Sequence, residues 1–106
     1  MAPMSYLALS MTLLLAGDLV AAEHAISQKN SMFSEAEMKI KPGDSIVFKN
    51  DDTVPHNVFS ASKGFQFSSN VQLPGQSATI PFKQPGSIEV RCVIHPNMKL
   101  MVEVKK

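Results

Sequence analysis

Cys92-Val93-Ile94-His95-Pro96-Asn97-Met98 sets a thiol, an imidazole and a thioether at C-x2-H-x2-M spacing. Thiolate and thioether are soft donors that favour Cu(I), and imidazole serves both oxidation states of copper. A His2Cys set with a weak axial Met is the blue-copper arrangement for electron transfer. This segment supplies one imidazole. The second is expected from His56, in Val54-Pro55-His56-Asn57-Val58. Pro96 fixes its own φ and biases His95 toward extended backbone, and Pro55 stiffens the approach to His56. With His56, Cys92, His95 and Met98 as metal ligands, every position is taken by protein. Substrate chemistry needs an open position, so an enzyme is not expected.

Each residue alone has a plainer reading. A lone Cys at a strand end is most often a small buried hydrophobe. A lone His is usually structural or exposed, and one Met among seven is usually packing. The combination carries the weight, because the chain holds only three His and one Cys. Structural zinc on Cys and two His would leave Met98 unexplained. A binuclear copper centre needs two bridging cysteines and is excluded. His24 has no partner motif and is expected to be a surface or terminal residue. The alternative to an electron carrier is a copper chaperone or storage protein, which passes the ion itself onward. Such proteins favour clustered methionines, and Met32, Met38 and Met101 form no cluster in the sequence.

The ligands must hang on strands. Ser87-Ile88-Glu89-Val90-Arg91-Cys92 alternates, with Ile88, Val90 and Cys92 on one face, and a last strand runs from about Leu100 to Val104. The loop joining them is therefore tight. Upstream, Glu37–Ile40, Ser45–Lys49 and Ala78–Phe82 read as strands, and His56–Phe59 as another short one. Lys41-Pro42-Gly43-Asp44, Asn50-Asp51-Asp52 and Gln84-Pro85-Gly86 read as turns. Pro81 suits an edge or bulge. Residues 60–76, rich in Ser, Gly and Asn, read as a long connection with Phe65 and Phe67 tucked inward. Ser31–Met38 has no sustained helical spacing and reads as a turn or short strand. The expected fold is all-β, an antiparallel β-sandwich.

The 106 residues suit one domain. Tyr6–Ala16 is an apolar run, and Val20-Ala21-Ala22 offers small residues before Glu23. Residues 1–22 are read as a signal peptide and 23–106 as the domain, although the first residues lack Lys or Arg. The run falls short of the roughly 20 apolar residues of a membrane span, so no span is expected after cleavage. Exported domains of this size often rely on disulfides, which a single Cys cannot form. A bound metal would protect the thiolate and stabilise the fold. Residues 23–106 carry ten Lys and Arg against eight acids, with no basic run beyond Lys105-Lys106. Nucleic acid binding has no support in that balance.

At these residues the sequence resembles the cupredoxins, the type 1 blue copper proteins. Within them it is most similar to the amicyanin-like and plastocyanin-like proteins of methylamine utilisation. The short His95-Pro96-Asn97-Met98 spacing carries that likeness. Lys41-Pro42-Gly43-Asp44, Asn50-Asp51-Asp52 before Pro55-His56-Asn57-Val58, Pro85-Gly86 and the closing Val-Glu-Val strand support it. The resemblance implies a Greek-key sandwich with one copper ion at one end. It implies His56, Cys92 and His95 as equatorial ligands and Met98 as the axial one. Asn57 would tie the His56 segment to the Cys92 loop by hydrogen bonds. His95 would be the solvent-edge ligand through which electrons leave. It further implies a periplasmic monomer that meets redox partner proteins such as a dehydrogenase and a c-type cytochrome. Aromatic residues commonly precede the ligand Cys in this family, and Arg91 stands there here.

Overall fold

The computed structural model describes residues 20–106, so all but the last three residues of the expected leader lie outside the described residues. Nine strands follow in chain order: β1 (Glu23–Lys29), β2 (Met32–Phe33), β3 (Glu37–Ile40), β4 (Ser45–Asn50), β5 (Phe59–Ser60), β6 (Phe67–Ser68), β7 (Ser77–Pro81), β8 (Gly86–Arg91) and β9 (Lys99–Val104). They form a four-stranded sheet in the order β2-β1-β4-β7 and a five-stranded sheet in the order β3-β9-β8-β5-β6.

Period-two alternation explains the packing. Ile88 and Val90 of β8 and Leu100 and Val102 of β9 are fully buried, and the register pairs Ile88 with Val102 and Val90 with Leu100. Ile26, Ile46 and Phe48 face them from the other sheet. Burying each such side chain is worth about 1.5–3 kcal/mol. A one-residue slip would turn the whole set to solvent, so the register is strongly determined. Phe33 meets Phe48 edge-on, with ring centroids 6.0 Å apart.

The sandwich agrees with the sequence reading, but two ladders, β1–β4 and β3–β9, are parallel. The chain leaves the first sheet after β2, runs β3 in the second, and returns as β4 beside β1 in the same direction. Strand alternation carries no information about that crossing. The connection over residues 60–76 includes the two-residue strand β6, which pairs with β5. Phe65, half-buried, presses on Gly86. A Cβ there would lie 2.6 Å from Cζ of Phe65, and φ is 152°, so both space and backbone require glycine. His56 joins the sheet only through an isolated bridge to Gln72 rather than through a strand.

His24, expected as a surface or terminal residue without a partner motif, is partly exposed and has a partner in the fold. Its Nε2 lies 2.9 Å from Oδ2 of Asp44, which is nearly buried. The Asp44 carboxylate also accepts the Ala22 amide at 2.9 Å and the Lys41 amide at 3.0 Å. The parallel register that sets His24 beside Ile46 brings it to the start of β4, at the end of the sandwich away from Cys92. These donors, His24 first and the two amides next, lower the Asp44 pKa from 3.8 to about 2. A carboxylate with a depressed folded-state pKa contributes stability that is complete above its unfolded value and is lost as pH falls through the folded one. The metal-free protein should therefore lose stability between about pH 4 and about pH 2. Asp44→Asn should flatten that slope in urea midpoints followed by circular dichroism at stepped pH. An unchanged slope would show that the Asp44 carboxylate is not its source.

Candidate metal centre

The first half of the site grows from the end of β4. Asn50 is buried, and its Nδ2 donates to the carbonyls of Val54 (2.8 Å) and Gln72 (2.9 Å), while its Oδ1 accepts the Asp52 amide at 2.8 Å. This side chain folds the 51–54 turn against the 72 segment. His56 then exchanges two main-chain hydrogen bonds with Gln72, at 3.1 and 2.7 Å. Gln72 is held from behind by Gln28, whose Nε2 donates to its Oε1 at 2.6 Å. The backbone of His56 is thus fixed by buried polar groups before its ring is considered.

The ring is fixed by Asp52. Nε2 of His56 donates to Oδ2 of Asp52 at 2.9 Å, which leaves Nδ1 with the free lone pair. Asp52 also accepts the amides of Ser31 (3.0 Å) and Thr53 (2.9 Å). Ser31 reaches it from the tight β1–β2 hairpin, where Asn30 and Ser31 both have φ 55°. The Ser31 amide, then His56, then the Thr53 amide lower the Asp52 pKa to about 2. Asp52 is therefore ionised at neutral pH. The sequence alone marks Asp52 only as a turn residue. Its position four residues before His56 was the available signal.

The second half hangs on the β8–β9 hairpin. Cys92, 1% exposed, follows β8. Its Sγ lies 3.8 Å from Nδ1 of His56 and 3.9 Å from Nδ1 of His95. The two imidazole rings are 4.6 Å apart at 48°. The three donor atoms all lie within 4.8 Å of one another, and among the described residues no other such group of His, Cys, Asp or Glu occurs. Asn57 joins the halves: its amide donates to the Cys92 sulfur at 3.5 Å, and its Oδ1 accepts the Val93 amide at 2.9 Å. Met98 is buried in the same cluster as Cys92, and its amide closes the loop on the His95 carbonyl at 3.0 Å. Met101, the nearest other methionine, pairs with Glu89 and so lies on the opposite face of β9 from Leu100 and Val102.

These donors fit a metal. Sulfur and nitrogen around a first-row ion in a trigonal plane, at bonds of about 2.3 and 2.0 Å, stand about 3.7 Å apart. The observed 3.8 and 3.9 Å are that spacing within a few tenths of an ångström. One thiol and two imidazoles, with a thioether on the same loop, make a soft and mixed set that favours copper over magnesium, calcium or manganese. His24 lies outside the cluster, at the other end of the sandwich.

A two-sheet sandwich that gathers such donors where its loops meet belongs among the mononuclear copper proteins. Residues 20–105 match the family model of copper binding proteins of the plastocyanin/azurin type, and the chain belongs to that family, with one copper ion as its cofactor. It is 32% identical over 78 residues to amicyanin-alpha of Methylorubrum extorquens, covering 69% of this chain and 64% of that one. The chain thus spans a little under two thirds of that relative. It is 28% identical over 94 residues to amicyanin of Paracoccus versutus, covering 85% and 70% of the two chains. The fold matches a purple cupredoxin from Nitrosopumilus maritimus with a TM-score of 0.70 at 23% identity, over 77% of this chain and 99% of that one. It also matches a copper(I) amicyanin variant with a TM-score of 0.73 at 21% identity, over 78% and 82%.

Partners that orient a metal-binding histidine are worth about 10–100-fold in metal affinity. Asp52→Asn keeps the size of the side chain and removes the charge that holds Nε2–H of His56. Its copper affinity, measured by competition with a chelator, should fall by about tenfold or more with the β-sheet circular dichroism unchanged. Equal affinity would mean that Gln72 and the backbone position His56 unaided.

Proposed function

We propose that this protein is a periplasmic one-electron carrier whose copper is held by His56, Cys92 and His95 as equatorial ligands and by Met98 as the axial one. The observation that carries the reading is the convergence of three donor atoms within 4.8 Å of one another in a fold that already fixes them. Copper supplies a centre that accepts and gives up one electron by alternating between Cu(II) and Cu(I). The chain's part is to keep the donors still, so that little rearranges when the charge changes. His56 does not move because Asp52 and Gln72 hold its ring and backbone. Cys92 does not move because it directly follows the core strand β8 and its sulfur accepts the Asn57 amide. Met98 is packed in the core beside it.

His95 is the half-buried member of the set and the route by which electrons would enter and leave. Exposed Val54, Val93 and Ile94, with Pro55 and Pro96, make its surroundings apolar. Val71 and Leu73, also exposed, flank Gln72 at the same end. Such a face suits brief docking with a redox protein, for which a dehydrogenase and a c-type cytochrome are the partners the amicyanin likeness favours. We read the protein as a monomer that is not itself an enzyme. The start of β1 at Glu23 supports a leader over residues 1–22 and a domain over 23–106. Removal of Ala22 would cost the fold two hydrogen bonds, one from its amide to the Asp44 carboxylate and one from the Ser45 amide to its carbonyl. No helix of the described residues is long and apolar enough to cross a membrane.

Copper(II) added to the purified protein should produce an intense visible thiolate-to-copper absorption that bleaches reversibly with reductant. Cys92→Ser should abolish it. Met98→Ala should keep the copper and change its reduction potential; an unchanged potential would remove Met98 from the ligand set. Tight Cu(I) binding without the absorption would instead make the protein a copper chaperone or store.

A further inference from the structure

The loop that carries His95 has few restraints of its own. Its first amide, Val93, donates to Asn57, and its last turn closes from Met98 N–H to the His95 carbonyl. Pro96 has no N–H to contribute. Between those ends, one side chain reaches the middle of the loop: Nη1 of Arg91 donates to the Pro96 carbonyl at 3.0 Å. Arg91 is the last residue of β8. Ile88 and Val90 point into the core, so the alternation turns Glu89 and Arg91 to the outer face. From there Arg91 spans the base of the loop to the residue next to His95. Its Nε lies 3.3 Å from Oε1 of Glu89, whose own amide is held by Oγ of Ser62 at 3.0 Å.

We propose that Arg91 is the positioning residue for His95, clamping the ligand loop through the Pro96 carbonyl while Glu89 fixes the direction of its guanidinium. An exposed ion pair of this kind adds little to stability, but here it sets an orientation. A guanidinium is a planar fork that can engage Glu89 through one N–H and the carbonyl through another. A lysine ammonium has the charge without that geometry. The role is therefore specific to arginine, which distinguishes a clamp from a mere positive charge beside the metal.

This inference rests on the ligand set proposed above, so the test begins without metal. Backbone order parameters of Val93, Ile94, His95 and Asn97 in the metal-free protein should be near the rigid value of about 0.85 and should fall to about 0.6 or below in both Arg91→Met and Arg91→Lys. Loaded with copper, both variants should release it to a chelator about tenfold faster than the parent, with their thermal midpoints close to it. Order parameters that stay at the parent value in either variant would overturn the clamp. So would Arg91→Lys matching the parent in both measurements, which would leave charge as the only contribution. If the parent itself showed no thiolate-to-copper absorption, the ligand assignment would fail, and the metal-free comparison would still decide whether Arg91 holds the loop.

Discussion

One amide side chain joins two parts of the chain that lie about a third of its length apart. Cys92 and His95 are three residues from each other and need only a tight loop. His56 is 36 residues from Cys92 and must be brought to it through the fold. Asn57 does this at the point of contact. It follows His56 directly, offers its N–H to the Cys92 sulfur, and takes the Val93 amide on its side-chain oxygen. The part-buried Val93 N–H finds its partner in this contact. Satisfying it with Asn57 makes the metal-side loop and the His56 segment one unit. The donors' mutual distances then follow from this join more than from the sandwich as a whole.

Behind that join lies a layer of buried amides that a purely apolar core would not supply. Gln28, Asn50 and Gln72 are each 3% exposed or less, yet they sit between the sheets and the loops of the metal end. Buried polar groups raise the energetic stakes: satisfied, they specify one arrangement, and unsatisfied, they destabilise it. Nearly all are satisfied here. Oε1 of Gln28 is the exception, a buried acceptor without a protein partner. The gain is directional. Leucine at position 50 would fill a similar volume without donating to the Val54 and Gln72 carbonyls, and it is the main chain of Gln72, held by Asn50, that pairs with the His56 backbone. Rigidity at the metal end is thus built from polar contacts, and stability from the Ile, Val, Leu and Phe layer beneath.

The division explains what could be read from the sequence. The strands β8 and β9 were legible because Ile88-Val90-Cys92 and Leu100-Val102-Val104 alternate, and period two needs no tertiary knowledge. The cluster of Cys92, His95 and His56 was legible because thiol and imidazole are rare in this chain, Cys92 and His95 are closely spaced, and His56 is one of only two other histidines. The contacts that support it were not. Asp52 and Arg91 are ordinary surface-type residues, and their roles depend on which backbone loops face them. The parallel pairing of β1 with β4 was equally hidden, and with it the meeting of His24 and Asp44, since both follow from the order in which the chain crosses between sheets. Residue type and spacing reveal chemistry, while pairing across a sandwich is decided by topology.

The two histidines of the centre are held by opposite means, and their exposure accounts for it. His56 is fully buried, so its outer nitrogen must find a partner within the protein, and Asp52 provides an anion that itself draws on two amides. An ion in such a place is stable only because every lone pair in use is matched. His95 is only partly buried, and under the proposed function its edge is where a partner would approach. A carboxylate over that ring would fix it and also cover it. A restraint placed one residue away, on the Pro96 carbonyl, fixes the loop from the side and leaves the ring face clear. The buried histidine can therefore be gripped directly, and the partly exposed one through the backbone of its loop. On that logic the two ionic contacts beside the candidate centre, Asp52 with His56 and Glu89 with Arg91, leave the exposed edge of His95 uncovered.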